Sequence, residues 1–407
     1  MLFDFSNVLF LSSLIPKDLE EIIRLKSTRN MQDAANALQW HIYEGLCDNL
    51  SESIDIVNLM PLGSFPQYFT DPFVKRQEFS IRNSKIFNIG FCNIKIIRKL
   101  LMPCAVEREL KRYIKQNKDL KCVLVYTMNN AFLRSLYSLK KQKKDLKICV
   151  VVADLPELSS LSSKIGRFEK TYTKVSAKKV YRYASCVDGY VLLTKQMADY
   201  MNVEKPFCVV EGISTVTKSE RSVTLSEARH KTILYTGTLH RKFGVLNLLA
   251  AFSLITNPDY RLVICGVGDS MKEIKYAAER DPRIQFEGQV TRERALELQR
   301  EATVLVNPRQ NNEEFTKYSF PSKNLEYLSS GTPLVAYKLD GIPDEYDEYI
   351  NYVADDSVDS LANKIMEICE LPREARYEIG RKARSFVIEE KNAKRQTKKI
   401  LDLLESL

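Results

Sequence analysis

Short apolar runs alternate with amphipathic stretches along most of the chain. Strand-like runs in the first half include Asn7–Pro16, Ile54–Met60, Cys122–Tyr126 and Leu146–Ala153, and the last two flank a stretch of helical periodicity, Ala131–Lys141. Apolar strands that alternate with amphipathic helices are typical of a parallel sheet that is covered on both faces. The pattern therefore predicts an α/β domain.

The alternation stops and then restarts in the second half. Residues 214–230 are polar and contain few large apolar side chains, as is typical of a linker. Strand-like runs resume at Thr232–Tyr235, Tyr260–Cys265 and Thr303–Val306. We therefore expect two parallel-sheet domains of similar size. The predicted boundaries are 1–213 for the first domain, 214–230 for the linker, 231–390 for the second domain and 391–407 for a last helix.

The composition fits a two-domain globular protein. A chain of 407 residues is too long for one ordinary core, and 44% apolar and 28% charged residues are globular values. The nine cysteines contain no C-x-x-C pair, which argues against a metal site and favours a reducing compartment. No apolar run approaches the roughly 18 residues of a membrane span. We therefore predict a cytoplasmic protein without a metal and without a membrane-spanning segment.

The positive charge is concentrated in one part of the first domain. The whole chain has a net charge of +9, but residues 82–182 contain 24 Lys and Arg against seven Asp and Glu. Within that region, the segments Ile94–Gln116 and Lys164–Arg182 interleave cations with apolar or aromatic residues. This pattern suggests an anionic partner, either phospholipid headgroups at the inner face of the membrane or a phosphorylated chain. A solvated basic face without a partner is the alternative.

A run in the second domain, FPSKNLEYLSSGTPLV, has the composition of an anion-binding helix. Pro321 suits the first turn of a helix and Gly331 suits its end. The first-turn N–H groups near Ser322 and Lys323 would then be free, with the positive end of the helix dipole behind them. Glu326 lies one turn from Ser322 and adds a carboxylate for sugar hydroxyls. The same residues would also make an ordinary capped helix with an exposed Lys–Glu pair.

Two further positions follow predicted strands. A turn that begins at Gly237 precedes Arg241 and Lys242, and a turn of small residues with cations nearby suits a phosphate. Asp154 follows a strand of the first domain, at the end of the sheet where open α/β sheets have their sites. Asp154 would bind or orient an acceptor hydroxyl there, or it would act as a helix cap or turn residue.

The run FPSKNLEYLSSGTPLV resembles the C-terminal-domain signature of retaining group 1 (family 4) glycosyltransferases, as found in polysaccharide biosynthesis. The resemblance implies the GT-B fold, an α/β fold of two Rossmann-like domains that face a central cleft. In this fold the first domain binds the acceptor, the second binds the nucleotide sugar, and the last helix, here 391–407, crosses back to the first domain. It also implies an E-x7-E pattern. Glu326 matches the second glutamate, which holds the donor ribose. The first glutamate, which contacts the donor sugar, falls at Tyr318, and Glu313 or Glu314 could replace it.

The resemblance extends to three glycine turns of the second domain. In the first, the family has an Arg and a Lys at the positions of Thr238 and Phe243, so Arg241 and Lys242 would serve from shifted places. The resemblance also assigns donor-binding turns to the other two glycines. They are Gly266, in the turn after the second strand, and Gly288, in the turn whose backbone touches the nucleobase.

Together these features predict a glycosyltransferase that moves a sugar from a nucleotide-sugar donor to a hydroxyl of a glycan or a lipid-linked acceptor. No D-x-D motif is present for a metal. Lys323 and Arg241 would stabilise the departing diphosphate, and no cofactor is expected. Two alternatives belong to other classes. One is a catalytically silent sugar-nucleotide or glycan-binding protein, and the other is a nucleic-acid binder, for which the sequence has no motif.

Overall fold

The chain folds into two compact units, residues 1–213 with 393–407 and residues 214–392. A computed structural model describes residues 7–28, 33–50, 53–158, 167–214 and 230–407, with only the backbone described for 167–172. Most of the predicted linker, residues 215–229, and the predicted basic residue Lys164 lie outside the described residues.

The first unit is built on an eight-stranded sheet in the order β10-β9-β8-β7-β1-β2-β5-β4. All neighbouring strands are parallel except β4 and β5. The strands of this sheet are β1 (Val8–Ser12), β2 (Asp55–Asn58), β4 (Gln77–Ile81), β5 (Ser84–Asn88), β7 (Cys122–Tyr126), β8 (Lys147–Val152), β9 (Gly189–Leu192) and β10 (Phe207–Val209). Two further strands, β3 (Phe73–Val74) and β6 (Phe91–Cys92), form a separate antiparallel pair. The helices of this unit include α1 (Glu20–Lys26), α2 (Asp33–Leu50), α3 (Lys95–Gln116), α4 (Asn130–Gln142), α5 (Arg167–Ala184) and α6 (Gln196–Met201).

The second unit is built on a six-stranded, all-parallel sheet in the order β13-β12-β11-β14-β15-β16. Its strands are β11 (Lys231–Thr236), β12 (Tyr260–Cys265), β13 (Ile284–Gly288), β14 (Val304–Asn307), β15 (Leu334–Ala336) and β16 (Asn351–Tyr352). Its helices are α7 (Val245–Leu254), α8 (Met271–Arg280), α9 (Arg292–Glu301), α10 (Ser322–Ser330), α11 (Val358–Glu370) and α12 (Arg373–Glu390), and α13 (Ala393–Ser406) follows them in the first unit.

The central strands are apolar because helices cover both faces of each sheet. Every residue of β1, β7 and β14 is buried. Such fully buried parallel strands have no polar face, which explains why the sequence shows continuous apolar runs instead of alternation. The two cores are separate clusters, one around β1 and α2 and the other around β11 and β14.

The hairpin of β4 and β5 was absent from the sequence prediction. Most residues of β4 are exposed, and this strand forms one edge of the first sheet. An edge strand of mixed polarity has neither a continuous apolar run nor a clean alternation, so its pattern is indistinguishable from that of a loop.

The helix α13 completes the core of the first unit by packing against α2. Asn49 donates from Nδ2 to the Lys394 carbonyl at 2.8 Å and to Thr397 Oγ1 at 2.9 Å. At Gly45 the two helices are in close contact, because an added Cβ would lie 2.5 Å from the Ala393 carbonyl oxygen. A side chain at position 45 would therefore separate α13 from α2.

We predict that Gly45→Ala lowers the stability of the first unit by about 1–3 kcal/mol, the usual cost of overpacking. In an exposed helix the same substitution would stabilise by about 1 kcal/mol, so the sign of the effect reports the helix contact. Thermal unfolding followed by circular dichroism measures it. An unchanged or raised melting temperature would show that α13 does not pack closely at this glycine.

Candidate active site

Three glycines meet where β11, β12 and β13 end. Gly237 donates its N–H to the Cys265 carbonyl at 3.0 Å, and Gly266 donates its N–H to the Gly288 carbonyl at 2.7 Å. A Cβ on Gly266 would lie 1.8 Å from the Gly237 carbonyl oxygen, so no side chain fits there. Gly288 has φ +67°, and an added Cβ would meet no atom within 4 Å. These three glycines, which we name the glycine edge, therefore leave the backbone at the carboxyl ends of the strands without side chains, so that a ligand can approach it closely.

The helix α10 begins beside this edge without a side-chain cap. Pro321 occupies the N-cap position with φ −73°, one residue before the predicted first-turn position, and its side chain makes no capping hydrogen bond. Gly331 ends the helix in the left-handed conformation at φ 83°, as predicted from the sequence. Ser322 is exposed in the first turn. The start of α10 thus has uncapped backbone amides and the positive end of the helix dipole.

Lys323 and Glu326 form an ion pair on this helix. Lys323 Nζ is 2.9 Å from Glu326 Oε1, and Gln299 donates from Nε2 to the same oxygen at 2.6 Å. Burial alone would raise the pKa of Glu326, but Lys323, the Gln299 hydrogen bond and Arg292 outweigh it, so the pKa lies below its usual value. Glu326 is therefore a carboxylate at neutral pH, with Lys323 beside it.

A lysine side chain connects this pair to the glycine edge. A Cβ built on Gly237 would lie 3.8 Å from Lys323 Cε. The sheet and the helix are joined below this point, because the Tyr327 hydroxyl accepts from the Thr236 N–H at 2.8 Å and donates to the Thr236 carbonyl at 2.9 Å. The structure therefore brings together four of the predicted residues, Gly237, Ser322, Lys323 and Glu326, and ties them to the end of β11.

The two predicted cations after β11 have different surroundings. A short 3₁₀ helix, Arg241–Phe243, carries both. Arg241 forms an ion pair with Glu273 of α8, whereas Lys242 lies over the rings of Phe243 and Phe315, with Nζ 5.2 Å and 5.6 Å from the ring centroids. Arg241 is thus paired with a carboxylate, whereas the contacts of Lys242 include two aromatic faces.

Two residues near this edge were not predicted. Gln299 is fully buried on α9 and donates to both Glu326 Oε1 and Thr236 Oγ1. Arg309 follows β14, is only 7% exposed, and lies over the rings of Phe243 and Phe315. Their partners come from distant parts of the chain, so no local sequence signal would have identified them.

The position of the missing first glutamate is occupied by Tyr318, at the end of a 3₁₀ helix, Glu314–Tyr318. Glu313 and Glu314 are exposed in the preceding loop. Glu313 lies near enough to Lys242 to act on its pKa, but burial and Arg309 outweigh this effect, and the pKa of Lys242 is lowered.

Asp154 follows β8 in the first unit. Its side chain is exposed, yet the protein around it removes enough water to raise the pKa of the carboxyl group above the usual value. A raised pKa favours proton acceptance near neutral pH, and the predicted alternatives, acceptor binding or a turn residue, stay open. In the part of the chain that the structure describes, no group of three or more His, Cys, Asp or Glu could hold a metal ion.

Residues 216–386 match the family model described as Glycosyl transferases group 1. This span contains the glycine edge and α10, so the similarity to the family covers the candidate site of the second unit. No curated protein matches the chain in sequence.

Three solved structures are similar over nearly the whole chain. They are sucrose-phosphate synthase from Thermosynechococcus elongatus (14% identity, TM-score 0.66, 98% of each chain), the lipopolysaccharide outer core galactosyltransferase WaaB in its apo form (12%, 0.64, 98% and 99%) and HepE of Anabaena in complex with UDP (12%, 0.64, 98% and 100%). These likenesses confirm the predicted fold class, an α/β fold of Rossmann-like parallel-sheet domains whose structural neighbours are GT-B glycosyltransferases.

We predict that Lys323→Met raises the pKa of Glu326, because burial would then act without the main opposing cation. In the parent protein, the depressed pKa stabilises the fold above the unfolded pKa, and this contribution is lost as the pH falls through the folded pKa. The substitution should therefore reduce that contribution at neutral pH. A ¹³C NMR titration of the Glu326 carboxyl group measures the shift.

Lys364→Met is the matched control, since it removes the cation of another i,i+3 Lys–Glu pair, 2.7 Å from Glu367. It should leave the pKa of Glu326 unchanged. Equal titration curves for the parent and Lys323→Met would mean that the ion pair does not set the ionisation of Glu326.

Proposed function

We propose that this chain transfers a sugar from a nucleotide-sugar donor to a hydroxyl group of a glycan or lipid-linked acceptor. The observation that carries the proposal is the Lys323–Glu326 pair at the uncapped start of α10, next to the glycine edge, in the span that matches the family of group 1 glycosyltransferases. Bare amides, a cation and an ionised carboxylate are the groups that a sugar nucleotide needs.

Each group suits one part of the donor. The first-turn amides of α10 and the Lys323 ammonium suit the diphosphate, because both favour negative charge. The Glu326 carboxylate suits two ribose hydroxyls, which donate hydrogen bonds to it. The open side of Gly288 suits a flat base that approaches the backbone. The complex of HepE with UDP supports a uridine nucleotide as the first donor to test.

The reaction needs charge stabilisation on the leaving group. The bond between the sugar's anomeric carbon and the diphosphate oxygen breaks, and the diphosphate leaves with the electron pair. The acceptor oxygen then bonds to the anomeric carbon and loses its proton. Lys323 and the helix start would stabilise the growing negative charge without a metal, and Asp154, with its raised pKa, would receive or orient the acceptor proton. Retention of configuration is part of the same proposal.

A second candidate function is donor binding without catalysis. It is favoured by one observation, the tyrosine at position 318, where the resemblance implies an acidic residue in contact with the donor sugar. Binding of the nucleotide would be the same in both cases, so only turnover separates them.

A transfer assay tests the proposal. The full chain is incubated with a panel of UDP-, GDP- and ADP-sugars and mixed glycan acceptors, and the released nucleotide is measured with and without EDTA. We expect release that depends on one donor class and persists in EDTA. Nucleotide binding without release would favour the silent binder, and neither binding nor release would contradict both.

We predict that Glu326→Gln weakens nucleotide binding by about 1–3 kcal/mol, or roughly 5- to 150-fold in Kd, the scale of a hydrogen bond to a charged group. The glutamine side chain has the same size as glutamate, but its amide no longer accepts hydrogen bonds from both ribose hydroxyls. Isothermal titration with UDP measures the effect, and Glu367→Gln is the control. An unchanged Kd in a folded Glu326→Gln protein would remove this residue from the site.

The first unit has features of a surface that binds membranes. Near its start, α3 exposes Ile96, Ile97, Leu100 and Leu101, with exposed fractions of 74%, 40%, 67% and 52%. Lys95 and Lys99 alternate with these residues and are also exposed. No helix among the described residues has the length and apolarity to cross a bilayer. We include in the proposal that this surface, which we name the α3 patch, lies on an anionic bilayer that presents the acceptor.

Neighbouring structure supports the α3 patch. Arg98 of α3 donates from Nη1 to the Leu62 carbonyl at 2.6 Å. The Thr70 N–H donates to the carbonyl of Lys26, the last residue of α1, at 3.2 Å. The loop that contains Leu62 and Thr70 therefore contacts both α3 and the end of α1. There α1 exposes Leu25, at 82%. Exposed apolar side chains therefore occur on two helices that contact the same loop.

We predict that the protein binds vesicles containing anionic lipid, that it does not bind neutral vesicles, and that binding weakens with salt. A variant with both Ile96 and Leu100 replaced by Ser should bind anionic vesicles more weakly than the parent protein, although the two proteins have the same net charge. Co-sedimentation measures it, and Leu254→Ser, an exposed leucine of the second unit, is the control. Equal binding to neutral vesicles, or none to anionic ones at low salt, would leave the patch as ordinary surface.

A further inference from the structure

Arg98, on α3 of the first unit, is a half-buried cation that has no carboxylate partner among the described residues. Burial lowers its pKa, and no neighbouring charge in the described part of the chain opposes this effect. Two other partly buried arginines are paired, because Arg76 lies 2.8 Å from Glu109 and Arg283 lies 2.7 Å from Asp281. Since charges that are withdrawn from water are normally paired, Arg98 is suited to an anion from outside the chain.

The hydrogen bonds of Arg98 all start from one nitrogen. Nη1 donates to the Leu62 carbonyl at 2.6 Å and to Asn93 Oδ1 at 3.0 Å, and both acceptors are neutral. Nε and Nη2 have no hydrogen-bond partner among the described residues, and neither is one of the buried polar atoms that lack a partner. Solvent therefore reaches the edge of the guanidinium that can bind two oxygens of one oxyanion side by side.

The neighbouring structure holds this guanidinium in place. Asn93, which accepts from it, is fully buried and donates from Nδ2 to the carbonyls of Gly63 and Asp71, at 2.9 Å and 3.3 Å. The guanidinium carbon also lies over the Phe91 ring, 5.4 Å from its centroid. A side chain that is already fixed loses little conformational entropy when it binds an anion, and this raises the affinity.

The acidic residue of the same loop is already paired. Asp71 is the one carboxylate of residues 59–72, and its Oδ2 lies 2.8 Å from Lys26 Nζ. The hydrogen bond from Lys26 lowers the pKa of Asp71. This carboxylate therefore has its own cation and does not compete with an external anion for Arg98.

The position of Arg98 in the fold also suits a binding site. Strands β2 and β5 are parallel neighbours, the loop 59–72 follows β2, and Asn93 follows β5. Arg98 is therefore bonded to segments that follow the carboxyl ends of the strands, where open α/β sheets have their ligand sites. It also lies within the stretch of α3 that carries the α3 patch, so an anion bound here would be close to any bilayer that the patch contacts.

We propose that Arg98, positioned by Asn93 and the loop 59–72, forms an oxyanion site that binds a phosphate group of the acceptor. The proposal rests on the proposed function and deepens it, because it makes the acceptor a negatively charged molecule. Nε and Nη2 would donate two parallel hydrogen bonds to two oxygens of the phosphate. Two sources of that phosphate fit, namely a lipid-linked acceptor in the bilayer or a soluble sugar phosphate.

Binding experiments on the full chain test the site. Isothermal titration uses inorganic phosphate, glucose 6-phosphate and glucose, with and without excess UDP to occupy the donor site. Co-sedimentation uses neutral vesicles that contain either polyprenyl phosphate or phosphatidylglycerol, at equal surface charge.

Two variants of Arg98 are compared with a matched control. Arg98→Gln keeps a donor for Leu62 and removes the charge, whereas Arg98→Lys keeps the charge and removes the edge with two donors. The lysine variant also serves if the glutamine variant does not fold. Arg108→Gln is the control, because this arginine is exposed on the same helix and its loss changes the net charge equally.

If a soluble sugar phosphate is the occupant, the parent should bind glucose 6-phosphate more tightly than glucose, with or without UDP. Arg98→Gln should then bind it roughly ten- to a hundredfold more weakly, and Arg98→Lys should show a smaller loss. If a lipid-linked phosphate is the occupant, the two variants should lose binding to polyprenyl phosphate vesicles and bind phosphatidylglycerol vesicles as well as Arg108→Gln does.

Two results would overturn the site. One is a parent that prefers neither the phosphate probes over glucose nor polyprenyl phosphate over phosphatidylglycerol. The other is an equal loss of binding in the Arg98 variants and in Arg108→Gln, which would reduce the effect to general electrostatic attraction.

The results also separate the site from the proposed function. A parent that binds a phosphate probe through Arg98 but neither binds UDP nor releases nucleotide from any donor would contradict the function and leave the oxyanion site standing. A parent that transfers sugar, with an acceptor KM that is the same in the Arg98 variants, would contradict the oxyanion site alone.

Discussion

One buried amide, that of Gln299, holds the candidate site together. It reaches from α9 to Thr236 at the end of β11 and to Glu326 on α10. Without it, the largely desolvated Glu326 carboxylate would have only the charges of Lys323 and Arg292 to compensate its own, and the end of β11 would lose a link to α10. The geometry of the site therefore depends on a residue that need not touch any ligand.

The start of α10 has no side-chain cap. Asn129, Thr291 and Ser357 cap α4, α9 and α11 by accepting a backbone N–H with their side chains, whereas α1, α3, α6, α7, α8 and α12 begin, like α10, without such a bond. A missing cap usually costs about 1 kcal/mol of helix stability. The missing cap is therefore common in this chain, and it bears on the candidate site only because the Lys323–Glu326 pair lies in the same helix.

The sequence predicted those features that depend on local chemistry. The buried parallel strands follow from apolar runs, and the end of α10 follows from Gly331, because a left-handed residue is needed there. Features that depend on contacts between distant segments were not predictable. The ion pair of Arg241 with Glu273 joins a 3₁₀ helix to α8, and Arg309 lies over the rings of Phe243 and Phe315, which come from two distant segments. The roles of such residues depend on tertiary packing, which cannot be predicted from the local sequence pattern.

The return of α13 to the first unit has a consequence for the order of folding during synthesis. The second unit consists of one continuous stretch, residues 214–392, and all of its strands have left the ribosome before α13 is made. The core of the first unit includes Ile400 and Leu404 of that helix, so the surface of α2 that they cover stays exposed until the whole of the second unit has been synthesised. The later unit in sequence can therefore finish folding first, which reverses the usual N-to-C order for domains.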